Sequence, residues 1–265
     1  MKLSILNKEG KKVGDFDFTL RADIRSDIYK KAVLAETSLM FQEKGADPQA
    51  GKKHSISVSK RRRKFRSTYG RGGSRTPRKT MWARGMQLRF VGALAPNTVG
   101  GRKAHAPKAE KNIIKEINNK EWIKALMTGI TSSFDNELVK MNGQKVSDLY
   151  PFVLDDSIEQ ISRTQDFRTF LELAGLKEEI DRTSSRKVRA GRGTMRNRTY
   201  SNKRGPLIVV SSIDSPLLRA SRNIKGFDVV TPELLMVSDF GMSEKPGRMV
   251  LFTKSALENF VEVLN

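Results

Sequence analysis

Few residues of this chain have the types and spacing that catalysis requires. Asp155 and Asp156 follow a short apolar run, a position where ligands gather in parallel sheets, and two carboxylates there could hold a metal or transfer a proton. Adjacent acids before a helical pattern are more typical of helix caps, and we interpret them as caps. His54 and His105 lie among cations that disfavour the imidazolium, so we expect them to stack or contact phosphate. With no Cys at all, the sequence predicts no catalytic residues and no metal site.

Glycine-rich stretches are the second source of possible chemistry, because they can bind nucleotide phosphates. GADPQAGKK at 45–53 departs from the GxxxxGK[ST] loop in its spacing and lacks the Ser or Thr that ligates Mg²⁺. GRGGSR at 70–75 and GRGTMR at 191–196 lack the third glycine of GxGxxG. The stretch 72–76 lacks the last glycine of the hydrolase motif GxSxG. The sequence therefore predicts no cofactor.

The strongest chemical signal is positive charge. Fifty Lys and Arg against 29 acids give a net charge of +21 and a pI near 10.3, which favours a nucleic-acid partner. Residues 51–111 hold 18 Lys and Arg with one acid, residues 182–204 hold nine with none, and the other 181 residues sum to −5. Because like charges repel, we expect both segments to be extended until phosphate neutralises them.

The longer basic segment, 51–111, contains eight glycines, three prolines and no sustained apolar period. It exceeds the roughly 15 residues of an ordinary loop, so it is expected to be functional or disordered. Phe65, Tyr69, Trp82 and Phe90 alternate with its Arg and Gly residues, and planar side chains can stack on splayed RNA bases. We interpret the segment as an arm that orders on binding; a solvated flexible linker is the alternative.

The remaining residues alternate helical and strand patterns, which predicts an α/β fold. We expect a three-layer sandwich with a mostly parallel sheet of about four or five strands. The predicted strands are 151–154, 207–210, 228–230 and 249–252. The predicted helices are 23–42, 118–134, one capped by Asp156 and Ser157 that runs to Leu173, and a last one that begins at a capping box of Ser255 and Glu258.

The sequence contains no membrane or export signal. No window approaches the roughly 20 apolar residues of a membrane span, and the start MKLSILNKEGKK lacks the apolar region of a signal peptide. We therefore expect the mature chain to be the whole chain. A chain without cysteine suits the cytoplasm.

The stretch VGGRKAHAPKAEK at 99–111 closely resembles the signature of the large ribosomal subunit protein four family, in its archaeal and eukaryotic branch. The similarity continues in order through NNKEWIKAL at 118–126, PFVLDDSIEQISRTQDF at 151–167, RKVRAGRGTMRNRTY at 186–200 and PGRMVLFTKSAL at 246–257. Eukaryotic members carry a long C-terminal extension, so the archaeal form fits best. The stretch MWARGMQLRF at 81–90 is bulkier and more apolar than the family pattern.

The resemblance implies a structural, non-enzymatic protein of the large ribosomal subunit. It implies one α/β domain, with a body of residues 1–45 and 112–265 and an inserted extended arm, 46–111, that binds ribosomal RNA (rRNA). The arm would stabilise rRNA folding and line the narrow part of the peptide exit tunnel. The implied partners are large-subunit rRNA, neighbouring large-subunit proteins and, at the tunnel constriction, the nascent peptide, with no membrane.

We expect the rRNA contacts to come from the cations of both basic segments and from one histidine. They are Lys60, Arg61, Arg62, Arg63, Lys64, Arg66, Arg71, Arg75, Arg78, Lys79, Arg84, Arg89, Arg102, Lys103, His105, Lys108, Arg186, Lys187, Arg189, Arg192, Arg196, Arg198, Lys203 and Arg204. The resemblance places the tip of the arm between Tyr69 and Arg89. Its tunnel candidates are Tyr69, Gly70, Arg71, Gly72, Gly73, Ser74, Arg75, Trp82 and Arg84.

Two other functions fit the same charge. An RNA-modifying enzyme, such as a methyltransferase, would use the α/β body for catalysis and the arm to hold its substrate, but no glycine-rich loop follows a predicted strand. A DNA-compacting protein would use the charge on duplex DNA. Arg-Gly segments with aromatic residues favour RNA, and no helix-turn-helix pattern is evident.

Overall fold

The computed structural model describes residues 2–18, 23–42, 47–53, 62, 69–70, 72–242 and 244–264. The chain separates into two compact units, which we call the body unit (1–40 and 114–265) and the arm unit (41–113).

In the described residues the strands are β1 (Lys2–Leu6), β2 (Lys12–Asp17), β3 (Arg78–Arg84), β4 (Gln87–Gly92), β5 (Phe152–Leu154), β6 (Lys187–Val188), β7 (Tyr200–Ser201), β8 (Leu207–Val209), β9 (Asp228–Val230), β10 (Gly241–Met242), β11 (Lys245–Pro246) and β12 (Val250–Phe252). The helices are α1 (Ser26–Leu39), α2 (Asn119–Ser133), α3 (Asn136–Met141), α4 (Thr164–Leu173), α5 (Lys177–Ser184), α6 (Pro216–Arg222) and α7 (Lys254–Leu264). The fold is therefore mixed α/β with small sheets.

Two three-stranded sheets lie in the body unit. In the first, β1 pairs antiparallel with β2 and parallel with β5. In the second, β8 lies between β12 and β9, and both pairings are parallel. A parallel bridge between Leu154 and Thr253 connects the ends of β5 and β12. The hairpins β6–β7 and β10–β11 are separate two-stranded pairs.

Three of the short parallel strands, β5, β8 and β12, are buried at every position. Successive residues of β8 alternate between two hydrophobic clusters: Ile208 joins the cluster that contains α4 and α6, while Leu207 and Val209 join the cluster that contains α1, α2 and α7. Strands covered on both faces are expected to be continuous apolar runs rather than alternating ones. This explains why the sequence prediction placed β8 and β12 within one residue of their observed bounds.

The arm unit contains a β-hairpin, so the expectation of an arm extended throughout is wrong for its described part. β3 and β4 are joined by Gly85 and Met86, and Arg84 pairs with Gln87. Gly85 has φ +54. A two-residue hairpin turn favours glycine at a position of positive φ, because its twist then matches that of the strands.

Several predicted bounds differ from the structure. The predicted 23–42 helix is shorter, Ser26–Leu39. The single helix expected from Asp156 to Leu173 is a 3₁₀ helix, Asp156–Gln160, followed by the separate α4. The predicted capping box at Ser255 is wrong, because α7 begins at Lys254 and the Ser255 N–H donates to the Asp156 carboxylate at 2.9 Å. In the described part of the chain, no helix is long and apolar enough to cross a membrane.

Candidate nucleic-acid interface

The second basic segment forms an ordered hairpin, which we call the basic hairpin (residues 186–204). Beyond the β6–β7 pairing, the Arg189 N–H donates to the Thr199 carbonyl at 2.8 Å and the Arg198 N–H to the Gly193 carbonyl at 3.1 Å. The Thr194 hydroxyl donates to the Arg189 carbonyl at 2.7 Å. The expectation that this segment stays extended is therefore wrong. Backbone hydrogen bonds within the loop order it although none of its own residues is acidic.

Most of the predicted cations in the basic hairpin are exposed. Six of them have neither a carboxylate nor another hydrogen-bond acceptor among the residues that the structure describes: Arg186, Lys187, Arg189, Arg192, Arg196 and Arg198. Lys203 donates to the Ser185 hydroxyl at 3.0 Å. An exposed group of like charges with no counter-charge attracts polyanions and makes their binding depend on salt.

Arg204 differs from those six. Its guanidinium pairs with Asp228 at 3.2 Å and Asp239 at 3.1 Å, and it donates to the Ser238 carbonyl at 3.1 Å. Arg182 donates to the Arg204 carbonyl at 2.6 Å and pairs with the fully buried Glu179 at 2.6 Å. These contacts attach the end of the basic hairpin to the body unit, so the guanidinium of Arg204 has its own acceptors within the protein.

Arg248 lies directly beneath this attachment and is 0 % exposed. It donates to the carbonyls of Gly205 at 2.6 Å and Pro206 at 3.1 Å, and it pairs with Asp228 at 2.7 Å. Burial lowers the pKa of Arg248 to about 10, so it stays charged at neutral pH. Burial also raises the pKa of Asp239. We call Arg182, Arg204 and Arg248, with Asp228 and Asp239, the clamp.

The β3–β4 hairpin of the arm unit has two chemically different faces. The register places Lys79, Trp82, Arg84 and Arg89 on one face, where the Trp82 side chain is 50 % exposed. The opposite face carries Thr80, Ala83, Leu88 and Phe90, with Arg78 at its end, where β3 begins. A bulge between Thr80 and Trp82 keeps the cationic and aromatic residues together. The stretch that departs most from the family pattern thus forms one basic, aromatic surface and one apolar surface.

The remaining described arm residues are mostly exposed. Arg62 lies over the Tyr69 ring at 4.7 Å, and Arg78 donates to the Ser74 carbonyl and, at 2.9 Å, to its hydroxyl. The tip candidates that the structure describes are all exposed: Tyr69, Gly70, Gly72, Gly73, Ser74, Arg75, Trp82 and Arg84. Lys103, His105 and Lys108 are exposed, and Arg102 is half-buried. The other predicted contact residues lie outside the described residues: Lys60, Arg61, Arg63, Lys64, Arg66 and Arg71, with His54 and Phe65.

In the arm unit, Gly51 and Gly101 lie where two backbone segments approach closely. A Cβ at Gly51, which has φ +75, would lie 2.5 Å from the Gly101 carbonyl oxygen. Gly101 belongs to the 99–111 stretch that carries the family resemblance. Glycine is required where two backbones approach this closely.

The carboxylates near the carboxyl ends of the parallel strands accept hydrogen bonds from other groups of the same chain. Glu159 accepts from the Ser211 N–H at 2.8 Å and from the hydroxyls of Ser211 and Thr253 at 2.6 Å each. Asp155 accepts from the Ser157 N–H at 3.4 Å, which confirms its predicted role as a cap. Among the described residues, no group of three His, Cys, Asp or Glu is placed to hold a metal ion.

Comparison with known proteins decides the identity of the chain. The model described as "Ribosomal protein L4/L1 family" matches residues 17–263. The chain belongs to this ribosomal protein family. The resemblance predicted from the signature at 99–111 is thereby confirmed, and so is the prediction of a structural, non-enzymatic protein.

Archaeal relatives resemble this L4/L1 protein over almost their whole length, and each is named large ribosomal subunit protein uL4. The relative from Nanoarchaeum equitans is 37% identical over 99% of this chain and 98% of its own. That from Saccharolobus islandicus is 33% identical over 98% of this chain and 94% of its own. The relative from Sulfolobus acidocaldarius is 34% identical over 97% of this chain and 92% of its own.

Sequence reasoning missed two parts of the candidate interface. In the sequence Arg182 counts only as a positive charge, whereas in the structure it holds the Arg204 carbonyl. Tyr200 is absent from the predicted contact residues, although the Arg186 guanidinium lies 4.3 Å from its ring centroid. The isolated aromatic residue within an Arg-rich stretch was the available signal for Tyr200. The clamp had no local signal, because its ion pairs and the Arg182–Arg204 hydrogen bond join residues that are 20 or more positions apart.

Proposed function

We propose that this L4/L1-family protein is a structural constituent of the large subunit of cytoplasmic ribosomes and binds large-subunit rRNA. The observation that carries the proposal is the basic hairpin. Six exposed cations without acceptors in the described structure are presented on a loop that is internally hydrogen-bonded and clamped to the body unit. Cations held in place on a folded loop suit the irregular phosphate positions of structured RNA.

The arm supplies the second part of the proposed interface. Its described cations and the Trp82 face of the β3–β4 hairpin would contact rRNA, and its tip would line the narrow part of the exit tunnel and meet the nascent peptide. If ten cations of the two segments meet phosphates, the log-log slope of affinity against salt is about −7 to −9. Neighbouring large-subunit proteins are the other proposed partners.

We also infer the finer architecture from the packing of the body unit. The bridge between Leu154 and Thr253 supports a single, mostly parallel sheet, and the two hydrophobic clusters support a helical layer on each face. In this proposal the chain is one α/β domain with a body of 1–45 and 112–265 and an inserted arm of 46–111. The unit division near residues 40 and 114 supports that reading.

The test uses the full chain, a large-subunit rRNA fragment and matched charge variants. The triple variant Arg189→Gln, Arg192→Gln, Arg198→Gln removes three hairpin cations. Its control, Lys140→Gln, Lys177→Gln, Lys225→Gln, removes three exposed lysines from elsewhere on the body unit. We expect the hairpin variant to reduce the salt slope by about 2–3 and the control to change it by less than about 0.5.

Two results would overturn the proposal. One is equal loss of slope in the hairpin and control variants, which would mean that only net charge matters. The other is wild-type affinity for the rRNA fragment no higher than for a polyanion of equal length. In cells, a tagged wild-type chain should sediment with the large subunit after a high-salt wash, and the hairpin variant should be depleted from that fraction.

A further inference from the structure

The basic hairpin carries an exposed aromatic ring that is already stacked on a cation. The Arg186 guanidinium lies 4.3 Å from the centroid of the Tyr200 ring, and the Tyr200 side chain remains 47 % exposed. Val188, which is also exposed, pairs directly with Tyr200 across β6 and β7. The three side chains therefore form a small planar and apolar surface within a strongly basic hairpin.

This surface is held by fixed neighbours on both sides. The hydrogen bond from the Arg189 N–H to the Thr199 carbonyl closes the loop beyond it. At the other end, Lys203 donates to the Ser185 hydroxyl and Arg182 to the Arg204 carbonyl. A ring held in this way loses little conformational freedom when a ligand stacks on it, so more of the stacking free energy appears as affinity.

The surrounding charge indicates which planar ligand would fit. Arg189, Arg192, Arg196 and Arg198 are exposed and have no acceptor in the described part of the chain, so a planar ligand there would be flanked by groups that bind phosphate. A nucleotide within an RNA strand has both parts, a planar base and a phosphate on each side. A base inside a continuous A-form helix has no free face, whereas bases in bulges and loops do.

We propose that Arg186, Val188 and Tyr200 form a stacking site for one unpaired RNA nucleobase. The base extends the Tyr200–Arg186 stack by one layer, and the hairpin arginines hold the adjacent phosphates. This inference rests on the proposed rRNA binding and adds to it a preference for unpaired over fully paired RNA.

The test compares two RNAs of equal length and charge on the full-length chain. One is a stem with a single bulged nucleotide, labelled there with 2-aminopurine, and the other is the same stem fully paired. Tyr200→Ala should weaken binding of the bulged RNA about 5- to 150-fold, the equivalent of roughly 1–3 kcal/mol per stacked base. Binding of the paired stem should change less than about twofold.

Three further variants separate stacking from other effects. Tyr200→Phe keeps the ring and should bind within about twofold of wild type. Met195→Ala removes an exposed side chain from the same hairpin and should also bind within about twofold of wild type. Arg186→Lys keeps the charge but loses the planar group, so it should weaken the bulged RNA selectively and leave the salt slope unchanged.

The outcomes distinguish the two proposals. Equal weakening of both RNAs by Tyr200→Ala would mean that Tyr200 only supports the hairpin. A loss in Tyr200→Phe as large as that in Tyr200→Ala would assign the effect to the hydroxyl. Either result would overturn the stacking site while RNA binding stands. Hydrogen exchange of the hairpin amides tests whether Tyr200→Ala keeps the β6–β7 pairing. If the wild-type chain binds neither RNA more tightly than a polyanion of equal length, the proposed function itself fails.

Discussion

Arg204 and Arg198 both lie in the basic hairpin, and the sequence gives them the same expected role in RNA binding. The structure gives them different surroundings. The Arg204 side chain contacts Asp228, Asp239 and two backbone carbonyls, whereas the Arg198 side chain has no hydrogen-bond acceptor among the described residues. We therefore predict that Arg204→Ala reduces the stability of the body unit and that Arg198→Ala reduces only RNA binding.

The size of the Arg204 effect follows from its contacts. Hydrogen bonds to charged groups contribute roughly 1.5–3 kcal/mol each when buried. The Arg204 side chain is 33 % exposed, so water screens part of this, and we expect a total loss of about 2–3 kcal/mol. For a unit of this size that corresponds to a fall in Tm of about 4–12 °C. An exposed residue such as Arg198 should change the stability by less than about 0.5 kcal/mol.

Thermal unfolding and salt-dependent RNA titration measure the two effects on the same variants. Arg198→Ala should leave Tm within about 2 °C of wild type and reduce the salt slope by about 0.7–0.9. Arg204→Ala should lower Tm and leave the slope unchanged. If Arg204→Ala instead kept the wild-type Tm and reduced the slope as Arg198→Ala does, Arg204 would be a phosphate contact and the clamp would not hold the hairpin.

Three other substitutions test the clamp and the arm. Arg248→Met should lower the free energy of unfolding by about 3–5 kcal/mol in urea titration, because it leaves buried acceptors without their donor, and a loss below about 1 kcal/mol would contradict this. Burial raises the pKa of Asp239, so the contribution of this carboxyl to stability falls as the pH rises from about 4 through that pKa. The stability of Asp239→Asn relative to wild type should therefore increase from pH 3 to pH 7. A difference in stability that does not change with pH would refute this prediction. Gly51→Ala, whose Cβ would meet the Gly101 carbonyl, should speed hydrogen exchange at 47–53, whereas Gly70→Ala, with the same φ and no atom within 4 Å, should not.

Much of the body unit could be predicted from local pattern. The runs at 207–210 and 249–252 are apolar at every position, because their strands are covered on both faces, and they became β8 and β12. The helix at 118–134 matches α2 within one residue at each end. Its buried face was less predictable, because Ile123 is exposed while Thr128 and Ser132 are buried beside Leu126 and Ile130. Family membership was predictable from the stretch at 99–111, where both residue types and order are distinctive.

The errors arose where distant residues set the local structure. Asp156 was assigned to cap its own helix, but its carboxylate accepts from Ser255, 99 residues away. Arg204 was grouped with RNA-binding cations because nothing nearby in sequence shows that Asp239 lies opposite it. The basic hairpin was expected to be extended because its net charge was considered without the backbone hydrogen bonds that close its loop.

The clamp gives charge and order separate roles in RNA binding. In the proposed interface, removing an exposed hairpin cation would take away one phosphate contact, so it should change both the affinity and its dependence on salt. Loosening the clamp leaves every exposed cation in place, so the salt slope is kept while the hairpin must be ordered again at the moment of binding, at a cost in affinity. Affinity lost with an unchanged slope therefore identifies residues that position the hairpin. Arg182 is the clearest such residue, because its guanidinium is largely buried and contacts only Glu179 and the Arg204 carbonyl within the described structure.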